Sequence, residues 1–349
     1  MPKLRVESDI PLAPLTTLGV GGKAKYFASV KSVEELKDAL NFAKERSLPV
    51  FVVGEGSNVI INDSGFPGVV VKVEIGDISF GKFGEVKVGA GVSWDKFVEE
   101  AVYRNLSGVE CLSAIPGTVG SAPIQNIGAY GTEVSSVIKA LHAIDRETLE
   151  EVVINKKECD FSYRKSIFNS SKKNRYIITE VIFKLWPDGK PNISYQDLLN
   201  YFDGKNPTLR DVREAVISIR TKKGHVAPPM GPRSAGSFFK NPILSEENFK
   251  ILKEKVKNIE GKWFWVNSDN EVKVSAARLI EEAGFKKGSR FGNVGISPFH
   301  SLVLVTYDGA TSAELMSLAE RIRTKIKSRF DITLDIEPEL IGFKKHSLP

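Results

Sequence analysis

Cysteine is nearly missing from this chain: Cys111 and Cys159 are the two instances in 349 residues, with no CxxC spacing. That scarcity excludes a disulfide framework and a cysteine-rich zinc site, and it fits a reducing compartment. Histidine is sparse too, at four, and neither H-E-x-x-H nor another metal spacing occurs, so no metal is expected. No apolar run reaches the roughly 18 residues of a membrane span. The opening MPKLRVESDIPLAPL carries acids and prolines where a secretory signal needs an unbroken apolar stretch. The expected location is the cytoplasm, with no membrane partner. Net charge is +6 and the pI is about 9.0, yet there is no Lys/Arg block of the kind that forms a nucleic-acid arm. No nucleic-acid partner is expected, and the positive balance suits small anionic ligands. Internal repeats and low-complexity segments are also lacking.

What is present is a globular composition, 42% hydrophobic over a length sufficient for two or three domains. Ser32 followed by Glu35 reads as a capping box, and Val33, Leu36, Leu40 and Ala43 recur at helical spacing up to Arg46. LPVFVVG and VIIND read as strands flanking the turn GEGSN, and VVVKVEI (69–75) and EVKVGAG (85–91) continue the strand pattern. Ser93 is expected to cap a helix carrying Trp94, Phe97, Val98, Ala101 and Val102. Alternation returns in YIITEVIFKL (176–185), WPDGKP (186–191) is turn-rich, and a helix is expected between Thr208 and Arg220. Beyond the proline-rich HVAPPMGP (225–232), the pattern predicts a helix over Ser275–Ala283 ended by Gly284, a strand at LVLVTY (302–307) and a helix over Ser312–Phe330. A domain boundary is placed near 222–232.

Three glycine patterns resemble nucleotide-binding motifs, and two fail on context. GVGGKA (19–24) leads into KYFASV, which reads as a strand, whereas a dinucleotide fingerprint needs a helix there. GDISFGKF (76–83) has Phe83 where a P-loop needs Ser or Thr to ligate magnesium. GEGSN (Gly54, Glu55, Gly56, Ser57, Asn58) offers backbone N–H groups that can cradle a phosphate, with a plain hairpin turn as the alternative. SAIPGTVGSAPIQNIGAYGTEV (113–134) combines many small residues with little charge, which suits a backbone passing close to a flat or extended ligand.

Four residues in three places stand out by context. Tyr163 and Arg164 lie between apolar residues in FSYRKSIF, where the arginine either stacks on a ring or reads a carboxylate bidentately. Glu339 sits in the apolar run DIEPELIG, where a carboxylate needs a cationic partner or an acid–base task. Ser237 in RSAGSFFKNP lacks the G-x-S-x-G elbow of a hydrolase nucleophile.

TLGVGGKA, VVGEGSNVI, GAGVSWDKFV, GVECLSAIPGTVGSAPIQNIGAYGTEV, FSYRKSIF, RSAGSFFKNP and EPELIG follow one another in an order that resembles the UDP-N-acetylenolpyruvoylglucosamine reductase (MurB) family. The resemblance runs from about Leu15 to Gly342. It implies an α+β protein whose FAD-binding fold, of the vanillyl-alcohol-oxidase (PCMH) type, has two α+β lobes, with a third α+β domain for substrate. The implied limits are residues 1–74 with a C-terminal return at 333–349, then 75–224, then 225–332. It further implies FAD, NADPH as reducing cosubstrate, and conversion of enolpyruvyl-UDP-N-acetylglucosamine, a UDP-sugar, to UDP-N-acetylmuramate in peptidoglycan synthesis. A monomer is the expected form. By position, the acid–base serine falls on Ser237, the carboxylate-binding arginine on Arg164 and the catalytic glutamate on Glu339. FAD contacts fall on the backbone of Gly54, Glu55, Gly56, Ser57 and Asn58, on Ile115, Pro116, Gly117, Gly120 and Ser121, and on Arg220. Substrate contacts fall on Tyr163, Tyr195, Lys223 and Asn241, with Tyr195 in the stretch PNISYQDLLNYF that marks the longer, type I form. His300 stands where some members carry glutamine beside the diphosphate, and Lys222 competes with Lys223 by one residue. The alternative is another FAD-dependent oxidoreductase of this fold acting on a different alcohol or acid. Since the first histidine is His142, the early FAD motifs offer no histidine for a covalent flavin.

Overall fold

Local signals set most helices of the computed structural model, which describes residues 4–226, 231–256, 259, 263–266 and 271–343. Helix α1 (Val33–Glu45) begins where the Ser32 hydroxyl accepts the Glu35 N–H, and its inward face is Leu36, Ala39, Leu40 and Ala43. The return half of the expected capping box closes one residue early, because the Glu35 carboxylate accepts the N–H of Lys31 at 2.7 Å rather than that of Ser32. Helix α2 (Trp94–Tyr103) starts after Ser93 as expected, but the Ser93 side chain makes no capping bond. Instead the Trp94 N–H donates to Gly117 O at 2.8 Å. Helix α3 (Gln196–Phe202) lies within PNISYQDLLNYF, and α4 (Leu209–Lys222) runs two residues past the expected end.

Contacts divide the chain into two units. The first comprises Met1–Ile10, Ala24–Gly56 and Pro67–Arg220. Its five-stranded antiparallel sheet has the order Glu151–Asn155, Ile138–Asp145, Tyr176–Lys184, Glu85–Gly89, Ile78–Phe80. A four-stranded sheet has the order Glu7–Pro11, Lys23–Val30, Phe66–Val73, Val50–Val53, the last pair parallel. Trp94, Phe97 and Phe183 are fully buried at the centre, with Phe97 and Phe183 stacked at 4.6 Å between ring centroids.

The second unit comprises Pro11–Lys23, Ser57–Phe66 and Thr221–Pro349. Strands Arg233–Ser234, Leu304–Thr306, Val294–Ile296 and Arg290–Phe291 form one sheet in that order, and Ile243–Leu244, Val272–Val274 and Phe264–Val266 form another. Helices α5 (Glu246–Lys255), α6 (Ala276–Glu282) and α7 (Ser312–Phe330) pack on them. The expected inward residues of α7, Leu315, Leu318, Ile322 and Ile326, are all buried, and Gly284 ends α6 at a φ of 96°. Strand Glu339–Ile341 pairs parallel with Val59–Ile61. Residues 227–230 of the proline-rich stretch and residues 344–349 of the C-terminal return lie outside the described residues. No helix of the described residues is long and apolar enough to cross a membrane.

Candidate active site

GEGSN is not a hairpin turn. The strand before it pairs with Phe66–Val73 and the strand after it pairs with Glu339–Ile341, so the two flanking strands are not partners. No described residue takes up the N–H groups of Glu55 and Gly56, which leaves them able to bond a ligand. The Glu55 carboxylate accepts the N–H of Gly117 at 2.9 Å and so ties this turn to the second glycine-rich segment.

That second segment departs from expectation in one respect. At Gly120 the small residue makes room for the protein itself, since a Cβ there would lie 2.5 Å from Ala90 Cβ; in turn, a Cβ on Gly54 of the first turn would lie 2.6 Å from Thr118 Oγ1 of this segment. Its backbone donors are likewise committed. The Thr118 N–H donates to Ser121 Oγ (3.1 Å), Val119 to Val92 O (2.9 Å), Gly120 to Ala90 O (2.9 Å) and Ser121 to Thr118 O (3.0 Å). Ile115 and Pro116 precede this bonded run and are half-buried and exposed.

Arg220, near the end of α4, has its Nε buried with no hydrogen-bond partner among the described residues. Burial holds its guanidinium below the ordinary arginine value and the charge of Arg164 adds to this, while Tyr130 and Asp95 oppose it. Two guanidinium groups within electrostatic reach, one carrying an orphaned donor, form an arrangement that an anionic or electron-rich ligand group would relieve. This observation, with the open N–H groups at 55 and 56, fits FAD bound in the first unit. Tyr130, missed by the sequence reading, is buried, edge-on to Tyr195 at 5.6 Å, and raised to about 12 by burial. Its position in the glycine-bearing GAYG was the available signal.

Arg164 occupies a tight reversal. Ser162 and Lys165 exchange backbone hydrogen bonds at 3.1 and 3.0 Å, which leaves Tyr163 and Arg164 as the turn, with Arg164 at a φ of 56°. A non-glycine residue in that region stores on the order of 1 kcal/mol or more. The guanidinium lies over the Tyr163 ring at 5.4 Å and donates to Gly128 O at 3.1 Å and Asn126 O at 3.5 Å. Stacking on a ring, offered as the alternative to ligand binding, therefore coexists with backbone anchoring that fixes the group's direction.

In the second unit the two phenylalanines of RSAGSFFKNP explain the lone serine beside them. Phe238 and Phe239 are 1% and 0% exposed, and they anchor the extended segment that carries Ser237. The Phe238 N–H donates to Leu302 O (2.8 Å), its carbonyl accepts the N–H of Glu337 (2.9 Å), and the Lys240 N–H donates to Asp335 O (2.9 Å). Ser237 itself is half-buried, and its hydroxyl bonds no described residue. Residues 335–337 lead directly to Glu339, whose N–H donates to Asn58 O at 2.9 Å. The structure thus places Ser237, Asn58 and Glu339 on connected segments of one unit. The Asn241 carbonyl oxygen accepts the Ala276 N–H at 3.0 Å, which leaves its amide nitrogen for a ligand.

His300 accepts the Leu302 N–H at Nδ1 (3.2 Å), which puts the proton of the neutral ring on Nε2. His225 lies against it at 5.3 Å between centroids. Burial, Lys287 and Lys223 push the His300 pKa down to about 4 from 6.5, against the pull of Glu281. Lys223 is therefore within electrostatic reach of His300, and Lys222 is exposed. Between pH 6.5 and about 4 the unfolded chain binds the proton and the folded chain does not, so stability falls as the pH drops through this window. His300→Gln is expected to flatten that fall in Tm measured against pH; an unchanged slope would remove His300 as its source. Cys111 and Cys159 are free and buried, with burial pushing both thiols up to about 12, so neither is a nucleophile at neutral pH.

The comparisons with known proteins agree with the order of motifs. Residues 228–341 match the model of "UDP-N-acetylenolpyruvoylglucosamine reductase, C-terminal domain", and residues 24–148 match an FAD binding domain. A UDP-N-acetylenolpyruvoylglucosamine reductase of Thermobifida fusca is 42% identical, over 96% of this chain and 97% of its own length. One of Flavobacterium johnsoniae is 38% identical, over 97% and 100%. The crystal structure of the MurB enzyme of Thermus caldophilus superposes with a TM-score of 0.67 at 27% identity, covering 97% of this chain and 100% of the other. Identity at this level along nearly the whole length shows that this chain belongs to the UDP-N-acetylenolpyruvoylglucosamine reductase family.

Proposed function

We propose that this protein reduces enolpyruvyl-UDP-N-acetylglucosamine to UDP-N-acetylmuramate, with NADPH as the source of electrons. FAD, when bound, would supply the redox chemistry that links NADPH oxidation to hydride addition at the terminal enol carbon of the substrate. The protein handles charge and protons. Hydride addition leaves electron density on the carbon bearing the substrate carboxylate, and a cation paired with that carboxylate lowers the energy of the resulting enolate. Arg164 has that role, its turn and its two carbonyl anchors setting its direction. Ser237 then donates its hydroxyl proton to the same carbon, which completes the addition of one hydride and one proton across the double bond. Glu339 provides the second acid–base group, and Tyr163, Tyr195, Lys223, Asn241 and His300 bind the nucleotide sugar. His300 contributes a neutral Nε2–H, the donor that a glutamine amide would otherwise offer.

The observation that carries this reading is the hydroxyl of Ser237, bonded to no described residue on a segment pinned by two buried phenylalanines. A proton donor needs that combination of fixed position and open valence. The test is steady-state NADPH oxidation with product analysis. Oxidation should require enolpyruvyl-UDP-N-acetylglucosamine and yield UDP-N-acetylmuramate; oxidation driven instead by an unrelated alcohol or acid would support a different FAD-dependent oxidoreductase. His142, the first histidine, is half-exposed on strand Ile138–Asp145 and faces Glu180 at 3.3 Å.

A further inference from the structure

We propose that Asp95 and Arg213 are a positioning pair, which holds the 112–118 segment and Arg220 in the arrangement that binds FAD. Asp95 lies in the first turn of α2, and its carboxylate receives three donors. Oδ1 accepts the Ala114 N–H at 2.6 Å and Arg213 Nη1 at 2.6 Å, and Oδ2 accepts Arg213 Nη2 at 2.8 Å. A bidentate fork of this kind fixes a plane as well as a distance. Arg213 is 9% exposed, whereas the Asp95 side chain is 36% exposed, so the pair is shielded from water on its arginine side.

Both ends of the pair lead to the cofactor residues. Ala114 has a φ of 56°, a conformation that persists only where its surroundings over-determine it, and it immediately precedes Ile115 and Pro116. The bond from Ala114 to Asp95 is one of three ties from the start of α2 to this segment. The others are Trp94 Nε1–H to Leu112 O (2.9 Å) and Trp94 N–H to Gly117 O (2.8 Å). At the other end, Arg213 and Arg220 are separated by about two turns of α4 and so share a face. The charge of Asp95 also favours the charged form of Arg220. Burial raises the Asp95 pKa, but the Arg213 fork, the Ala114 N–H and the charges of Arg213 and Arg220 outweigh it and leave the carboxyl below its ordinary value. An ion pair with one buried and one half-exposed partner adds little net stability, so a geometric role is the better reason for one here.

The inference rests on reading Ile115, Pro116, Gly117, Gly120, Ser121 and Arg220 as FAD contacts. The test uses full-length apoprotein titrated with FAD, with Kd taken from quenching of flavin fluorescence and the visible spectrum of the bound flavin recorded. Asp95→Asn keeps an acceptor for Ala114 but removes the charge, and Arg213→Gln removes the fork. Each is expected to raise Kd about tenfold and to shift the bound-flavin spectrum, and the double variant should be no worse than the more severe single, as for two parts of one unit. Unchanged Kd in either single variant, or effects that multiply in the double, would overturn the proposal. Arg220→Gln separates the two layers of inference. If it leaves Kd unchanged, the contact reading fails and the pair has nothing to position. If it weakens FAD while Asp95→Asn does not, the contact stands and the positioning role fails. Should the Asp95→Asn apoprotein not fold, Arg213→Lys, which keeps the charge without the fork, carries the test: a weaker Kd supports the proposal and an unchanged one overturns it.

Discussion

Ser237→Ala is expected to slow reoxidation of the reduced protein by enolpyruvyl-UDP-N-acetylglucosamine by about 10²- to 10⁴-fold, the usual range for loss of a positioned general acid. Reduction by NADPH should proceed at the normal rate, because no proton from Ser237 is needed to move a hydride onto the flavin. The change is also small enough to leave the fold alone: the anchors of this segment are Phe238, Phe239 and their backbone bonds, and the Ser237 hydroxyl bonds no described residue. Rapid mixing of each half-reaction separately is the measurement. A normal rate of substrate-driven reoxidation in the variant would remove Ser237 from the chemistry.

Arg164→Met should damage the same half-reaction, by about 10²- to 10³-fold, the cost seen when one donor to a developing oxyanion is removed. Methionine keeps an apolar stem over Tyr163 but loses the donors to Gly128 O and Asn126 O along with the charge. Those carbonyls belong to the segment that the turn at 162–165 faces, so a modest loss in Tm is expected as well. The diagnostic result is the split between half-reactions: NADPH-driven bleaching preserved, substrate-driven recovery slowed. Arg164→Lys should fall between, since a lysine cannot form two parallel bonds to a carboxylate. Equal impairment of both half-reactions would point to misfolding around the flavin instead.

How much of this was legible in the sequence depends on the range of the interactions concerned. Helices α1, α6 and α7 were readable because caps and apolar spacing act within a few residues: Ser32, Ser275 and Thr311 each accept a backbone N–H three residues on. Strand Tyr176–Lys184 was equally plain from its alternation. Pairing was not. The partner of Val59–Ile61 is Glu339–Ile341, about as far along the chain as possible, and no local pattern announces such a parallel register. For the same reason GEGSN is compatible locally with a hairpin turn, and only the pairing of its flanking strands with distant partners excludes one.

The candidate site divides along similar lines. Ser237, Arg164 and Glu339 could be singled out by polar type in apolar surroundings, and the order of seven motifs pointed to the family that the comparisons show. The left-handed turn at Arg164 had no signal, because arginine is not a residue that favours it and the conformation is imposed by the Ser162–Lys165 bonds. The glycines of 113–134 were read as space for a ligand, whereas at Gly120 the space is filled by Ala90. Asp95 carries no local signal, because its partner lies more than a hundred residues later on another helix.

The most direct measurement is anaerobic mixing of the NADPH-bleached protein with enolpyruvyl-UDP-N-acetylglucosamine, following the visible absorbance of the flavin. Recovery of the oxidised spectrum with one UDP-N-acetylmuramate formed per flavin is the predicted result. A flavin that stays bleached in the presence of the enolpyruvyl nucleotide, or a preparation that cannot take up FAD at all, would contradict it.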